Sequence, residues 1–325
     1  MSFSNQRFVN FSDGPASGLF NPALLAYLGE HLSDPLISDF ATEGYEYILQ
    51  DESAVAEEWF RSFLNLSRFI LRAPKIANRS DTAPRQDVFL KDYGAVITKS
   101  LDEADHLWEF AAKAGHNAEH HNHNDCGSFI LNIDGHSIIS EIGAPEYDDA
   151  YFKSDQTRYT FLAARSLGHS VPLVNHCEQA AGADYRADVS ECFFDDERVR
   201  FVIDLTQTYP EQANCKSLIR TLTLDKHTGE LLVEDAFDLH GPGEVESILM
   251  LEAPPLQKDT QIYISTGKAE VKIQPLDKTR CKKIDRCTYS DRSGRLQHIY
   301  RIHFSLTKPI THGMLSYRIS ICAFK

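Results

Sequence analysis

The chain has 325 residues, 42% of them hydrophobic and 25% charged, and a net charge of −14. That balance describes a folded globular protein of one large domain or two ordinary ones. The negative charge argues against general binding to nucleic acid or anionic membranes, and against a polyanionic ligand unless a local basic groove exists.

The N-terminus, MSFSNQRFVNFSDG, lacks a basic segment followed by an apolar one, so no secretory signal is visible. As given, the chain is expected in the cytoplasm, and in the periplasm or outside the cell if it has been trimmed. No stretch approaches the roughly 18 apolar residues of a membrane span. Cysteines at 126, 177, 192, 215, 281, 287 and 322 form an odd, scattered set that suits reduced thiols.

Residues 20–72 predict helices. Asn21-Pro22 opens ALLAYLGEHL with a capping side chain and then proline at the first helical position. Asp34-Pro35 repeats the device before LISDFATEGYEYIL. Ser53 caps a third segment, in which Trp59, Phe60, Phe63, Leu64, Leu66, Phe69 and Ile70 make a wide apolar stripe near helical period. The stripe reads as packing. Residues 73–86 are polar with two prolines and read as a linker.

After the linker the pattern changes. Twelve segments alternate or run apolar and are broken by turn residues, from DVFLKDYGAVITKS to MLSYRISICAF. Asp134-Gly135 is a two-residue hairpin signal, and His227-Thr228-Gly229 marks another turn. So many strands with so little helix between them predict antiparallel sheets stacked as a sandwich. The expected fold is mainly β: a helical segment over 1–75, then a large antiparallel β-sandwich over 76–325.

Five of the fourteen histidines fall in GHNAEHHNHNDCGSFILNIDGH, residues 115–136. Imidazole is the commonest metal ligand and titrates near neutral pH. Three readings are open. The first is a metal site: His121 and His123 alternate, so an extended chain points both the same way, and further ligands come from Glu141 and His169. Zinc accepts imidazole nitrogen and carboxylate oxygen. The hairpin register sets Glu141 opposite Ser128, so the chain must bend between His123 and Ser128, and Gly127 is the place for it. The second is a metallo-hydrolase motif of the HxHxDH kind, with Cys126 in place of its final histidine. The third is a polar loop, the reading given to His106, His116 and His298.

The ordered set DYGAVITKS, WEFAAKAG, HHNHNDCGSFILNIDGHSIISEIGAPEYDDAYF, RSLGHSVPLVN, TYP and RTLTLDKHTGELLVEDAF resembles the C-terminal half of the heparinase II/III-like polysaccharide lyases, over roughly residues 85–240. The resemblance implies a β-sandwich behind the end of a helical toroid, and β-elimination on a uronic-acid-containing polysaccharide or oligosaccharide, heparin-like or alginate-like. It implies His121 as a residue facing the cleft, and Tyr147 or Tyr159 beside it for proton transfer. Asn122 and Tyr151 would lie at the substrate. His123, Glu141 and His169 would hold zinc, with Glu141 standing where the family usually has Asp. The family's toroid residues have no match here, so the isolated chain is expected to be incomplete as a catalyst. A carbohydrate-binding module that keeps a structural zinc is the alternative; neither nucleic acid nor membrane is an expected partner, and self-association is open.

Lys268, Lys272, Lys278, Arg280, Lys282, Lys283, Arg286, Arg292 and Arg295 make the C-terminal strands locally basic. They read as solvated hairpin faces more readily than as a uronate groove. Arg220 and Asp235 are placed to pair across neighbouring strands, and Tyr209 to pack.

Overall fold

The computed structural model describes residues 7–15, 22–50, 86–153, 156–267 and 269–322. The chain divides into two compact units, one formed by residues 17–84 and the other by 1–16 together with 85–325. Among the described residues no helix is long and apolar enough to cross a membrane.

The first unit holds α1 (Pro22–Leu32) and α2 (Pro35–Gln50). The backbone N–H of Asp34 closes onto the carbonyl of Gly29 at 3.0 Å, with Ser33 in the left-handed region at φ 53°. Asp34 then caps α2, accepting the N–H of Ile37 on Oδ1 at 3.3 Å, as its position before Pro35 predicts. Ala23, Ala26, Ala41 and Tyr45 form the small core between the two helices. The third expected helix, from Ser53, and the cap at Asn21 lie outside the described residues, as does most of the 73–86 stretch.

The second unit is built of β-strands: β1 (Gln86–Leu90), β2 (Ala95–Leu101), β3 (Leu107–Lys113), β4 (Gly115–Asn117), β5 (Phe129–Ile133), β6 (His136–Ile139), β7 (Pro172–Val174), β8 (Gly182–Phe194), β9 (Arg198–Asp204), β10 (Cys215–Asp225), β11 (Glu230–Gly243), β12 (Val245–Leu251), β13 (Leu256–Lys258), β14 (Gln261–Ser265), β15 (Glu270–Pro275), β16 (Thr279–Ser290), β17 (Leu296–Leu306) and β18 (Ile310–Ile321). They make a five-stranded sheet in the order β1-β2-β3-β5-β6, a nine-stranded sheet β13-β14-β15-β18-β11-β10-β9-β8-β4, and a four-stranded sheet β16-β17-β12-β7.

One core joins all three. Phe110 and Phe129 enter it from the first sheet, Phe201, Leu222 and Val233 from the second, and Leu249 and Phe304 from the third. The nine-stranded sheet is one layer of a sandwich. The other two sheets share the opposite layer, linked where the N–H of Ser140 donates to the carbonyl of Met250 at 2.9 Å. In β10 the alternation is clean: Leu218, Arg220, Leu222 and Leu224 point inward while Ile219, Thr221 and Thr223 between them are half-buried.

The Asp134-Gly135 hairpin forms as its sequence predicts. Both residues have positive φ, 51° and 74°, the conformation of a type I′ turn, and Ile133 pairs His136. The stretch around His227 closes the β10–β11 hairpin with Asp225 opposite Glu230. Two long strands escape the sequence pattern. β8 is mostly half-buried or exposed along both faces, and β16 is an edge strand rich in charge. Neither shows the alternation that marks a half-buried strand.

Candidate functional site

The histidine-rich loop runs from β4 to β5, between Gly115 at φ 84° and Gly127 at φ 86°. Gln179 clamps its far end: Gln179 accepts the Cys126 N–H on Oε1 at 3.1 Å and donates from Nε2 to the Cys126 carbonyl at 2.7 Å. Arg220, fully buried on the inner face of β10, donates to the carbonyls of Gly127 at 2.9 Å and Ser170 at 2.5 Å. The same guanidinium forks onto Asp235 at 2.7 and 2.8 Å. The predicted cross-strand pair thus does more than join two strands. It ties the His123 loop and the His169 loop to the nine-stranded sheet.

His121 has φ 58°, which breaks the extended backbone that would have set it parallel to His123. The two diverge. His123 is fully buried, whereas the His121 side chain is 60% exposed.

Below the surface His123, Asp125 and His169 converge, one ligand atom from each lying within 4.8 Å of the others. The His123 and His169 rings are 5.1 Å apart. His169 Nδ1 is hydrogen-bonded to Glu141 Oε2, and its Nε2 lies 2.8 Å from the carbonyl of Ala163. Ser128 donates to Glu141 Oε1, so the residue opposite Glu141 in the sequence register does reach it. His123 Nε2 meets the hydroxyl of Tyr151 at 2.6 Å, and its Nδ1 is buried with no hydrogen-bond partner.

Asp125 binds Lys113, Oδ1 to Nζ at 2.7 Å, with both side chains buried. Its Oδ2 accepts the Ser12 N–H at 3.0 Å and hydroxyl at 3.3 Å. Burial alone would raise the Asp125 pKa, but Lys113 and then the two histidines bring it down to about 2. Burial, followed by the charge of His169, holds His123 well below the ordinary histidine range. His169 goes the other way: burial opposes its charge, and the Glu141 carboxylate outweighs burial.

At the surface Asp13 Oδ2 lies 2.7 Å from His121 Nδ1 and accepts the Tyr147 hydroxyl at 3.0 Å. Burial, and then this hydrogen bond to Asp13, raise the Tyr147 pKa. Tyr147 stacks on Tyr151 at 5.4 Å and meets Phe152 edge-on at 4.8 Å. The Arg292 guanidinium stands 5.5 Å from the Tyr147 ring centre. Arg158 donates to the Asn122 carbonyl at 2.6 Å and lies over the Tyr151 ring at 4.7 Å.

Of the residues singled out in the sequence, His121 and Tyr147 meet at the surface, His123 and His169 meet beneath it together with Asp125, and Glu141 is joined to His169. Asn122 and Tyr151 are buried and serve as supports between these layers. Tyr159 is half-buried on the short turn Gln156–Thr160. Among the described residues no hydrogen bond or ring contact ties it to the cluster. Ser12, Asp13, Lys113 and Arg158 escaped sequence reading; a serine and an aspartate in a turn and a lysine ending a strand carry no distinctive spacing.

Three of the basic residues on the C-terminal strands pair with acidic neighbours. Lys282 binds Glu244 and Glu246 at 2.8 and 3.0 Å, Lys283 binds Asp285 at 3.0 Å, and Arg295 binds Asp291 at 3.2 Å. Lys268 lies outside the described residues. Tyr209 packs as expected, its hydroxyl donating to the Pro172 carbonyl at 2.6 Å.

The model of the heparinase II/III-like C-terminal family matches residues 82–299. No curated protein matches the chain in sequence. Among solved structures, a mutant of the heparan sulfate lyase HepC from Pedobacter heparinus superposes with a TM-score of 0.72 at 16% identity, over 100% of this chain and 45% of that one. A heparinase III superposes with a TM-score of 0.68 at 10% identity, over 100% of this chain and 46% of its own. The chain therefore spans about half the length of the solved structures it matches. At these identities the likeness is one of fold.

Proposed function

This chain belongs to the heparinase II/III-like family, and on that premise we propose that it is the β-sandwich part of a polysaccharide lyase that cleaves a uronic-acid-containing chain by β-elimination. The observation that carries the reading is the meeting of His121 and Tyr147 on one oxygen of Asp13, above a buried histidine–carboxylate cluster. Elimination needs a base, an acid and positive charge near the uronate carboxylate. His121 Nε2 takes the C5 proton. The electron pair left behind forms the C4=C5 bond, the C4–O bond breaks, and Tyr147 gives its proton to the departing oxygen. Arg292, beside the Tyr147 ring, supplies positive charge for the carboxylate. Tyr147 is favoured over Tyr159 because it shares Asp13 with His121. Asn122 and Tyr151 act by holding Arg158 and His123.

The buried cluster suits zinc. The partnerless Nδ1 of His123 presents a lone pair when Nε2–H donates to Tyr151, and imidazole with carboxylate is a donor set zinc accepts. His123 and His169 would hold it with Glu141, whose carboxylate already meets His169 and Ser128; Asp125 has a ligand atom within 4.8 Å of both histidines but is held by the buried charge of Lys113 and by Ser12. Bound there, zinc would supply a fixed charge that braces the two loops. A hydrolase needs an open metal position, and His123, Asp125, Glu141 and His169 are all buried. That weighs against the metallo-hydrolase reading.

Joined to the helical toroid part of a family lyase and loaded with zinc, the chain should convert one of a panel of uronate polysaccharides to unsaturated products that absorb in the ultraviolet. His121→Ala should abolish the product while leaving the fold intact. Saturable binding of the same polysaccharides without any unsaturated product would favour a non-catalytic binding module instead. The shared family and the name of HepC favour a glycosaminoglycan among the substrates tried.

A further inference from the structure

We infer that Asp13 is the positioning residue of this site, fixing the tautomer of His121 and its separation from Tyr147. The inference rests on the reading of His121 and Tyr147 as the proton-transfer pair. A carboxylate oxygen can only accept hydrogen bonds. With Asp13 Oδ2 at 2.7 Å, His121 Nδ1 must therefore carry the hydrogen. Nε2 is left as the acceptor, on a ring that is 60% exposed and whose Nε2 has no hydrogen-bond partner among the described residues. An exposed side chain on a left-handed backbone position would otherwise sample several rotamers and both tautomers. The Tyr147 hydroxyl donates to the same oxygen at 3.0 Å. One atom thus sets both reactive groups.

Asp13 can do this because its own segment is anchored. Residues 7–15 fold with the sandwich, far from the loop in sequence. Arg7 forks onto Glu252 at 2.8 and 2.6 Å. Phe11 is buried against Ile97, Ala111 and Ile130. Ser12 donates twice to Asp125, which joins the anchor to the histidine loop itself. Gly14 accepts the Ala144 N–H at 3.1 Å; a Cβ on Gly143 would lie 2.3 Å from the Gly14 oxygen, so the two backbones touch. The Asp13 side chain is only 10% exposed, and a carboxylate held this way orients a histidine that solvent would leave free.

The test uses the full chain with Asp13→Asn, which keeps the shape, and Asp13→Ala. Nitrogen NMR of the histidine rings at mildly alkaline pH should show wild-type His121 with hydrogen on Nδ1. Asp13→Ala should lose that preference and Asp13→Asn, which offers an amide donor beside its acceptor, should weaken it; unchanged melting curves would separate this effect from unfolding. On a substrate that the wild type cleaves, kcat should fall by about tenfold or more in Asp13→Asn with KM within about twofold, because the interaction matters after binding. An unchanged His121 spectrum in Asp13→Ala, which removes the acceptor, or a wild-type ring protonated on Nε2, overturns the assignment. A wild type that forms no product even when joined to the helical toroid part sinks the lyase reading alone; the tautomer result still decides the role of Asp13.

Discussion

Oδ1 of Asp125 lies 2.7 Å from Nζ of Lys113, and neither side chain reaches solvent. Burial opposes the charge on each, and each holds the other ionised: Asp125 is brought down to about 2, and Lys113 is raised. Removing one partner leaves a buried charge uncompensated, which costs about 3–5 kcal/mol. Lys113→Met should therefore lower stability by about that amount in urea denaturation, and Lys113→Met combined with Asp125→Leu should recover a good part of it. A loss under about 1 kcal/mol in the single variant would show that the pair does not anchor the histidine loop.

Gly127 marks the bend that the sequence register required. Its φ is 86°, and a Cβ there would stand 2.7 and 2.9 Å from the two methyl carbons of Leu205, which is itself fully buried. Gly127→Ala combines backbone strain with overpacking, so a loss of about 2–4 kcal/mol is expected. Because the Gly127 carbonyl also accepts from Arg220, the same substitution should loosen the loop. Faster amide hydrogen exchange at residues 121–128 than at β10 would show it.

Strands were legible wherever one face is buried. The alternation in β10 and β11 and the Asp134-Gly135 turn came straight from the residues, and so did the cross-strand pair Arg220–Asp235, though not its burial. What stayed hidden depends on contacts between distant segments. Asp13 meets His121 only because the N-terminal segment packs into the sandwich, and nothing in FSDG announces that. Lys113 ends an apolar run as a lysine entering solvent would, yet points inward because Asp125 waits there. The divergence of His121 and His123 follows from one left-handed residue, and histidine tolerates that region without any local mark. β8 and β16 lack alternation because they are half-exposed or at an edge.

Acid should expose the cluster on β12. Glu246 accepts from His303 Nδ1 at 2.7 Å and from Lys282 at 3.0 Å. The hydrogen bond from His303 comes first; burial opposes it, and Lys282 then adds to it, taking Glu246 from 4.5 to about 2. The folded state binds this proton more weakly than the unfolded state. The stabilisation is therefore fully present above the unfolded value and is lost as pH falls from about 4.5 towards 2. At about 1.4 kcal/mol per pH unit the full difference would be about 3.5 kcal/mol, which solvent screening at this partly open site reduces to on the order of 2 kcal/mol. Glu246→Gln should be less stable than wild type at neutral pH and should show a flatter acid limb. Parallel acid limbs for the two proteins would remove Glu246 as a cause.

The metal prediction separates the donors. Elemental analysis of the purified chain should find zinc near one per chain, and a chelator should lower the melting temperature, since a ligand bound only by the folded state stabilises it. His123→Ala and His169→Ala should lose the metal, because each removes an imidazole from a cluster closed to water. Glu141→Ala should lose it too, as its carboxylate is the one bound directly to His169. Asp125→Asn should keep the zinc while losing stability, since that carboxylate is committed to Lys113 and Ser12. Zinc lost from Asp125→Asn but retained in Glu141→Ala would exchange the two carboxylates' roles. A wild type without metal, and with a melting temperature indifferent to chelator, would leave His169 and Glu141 as a buried ion pair, with His123 held by Tyr151 alone.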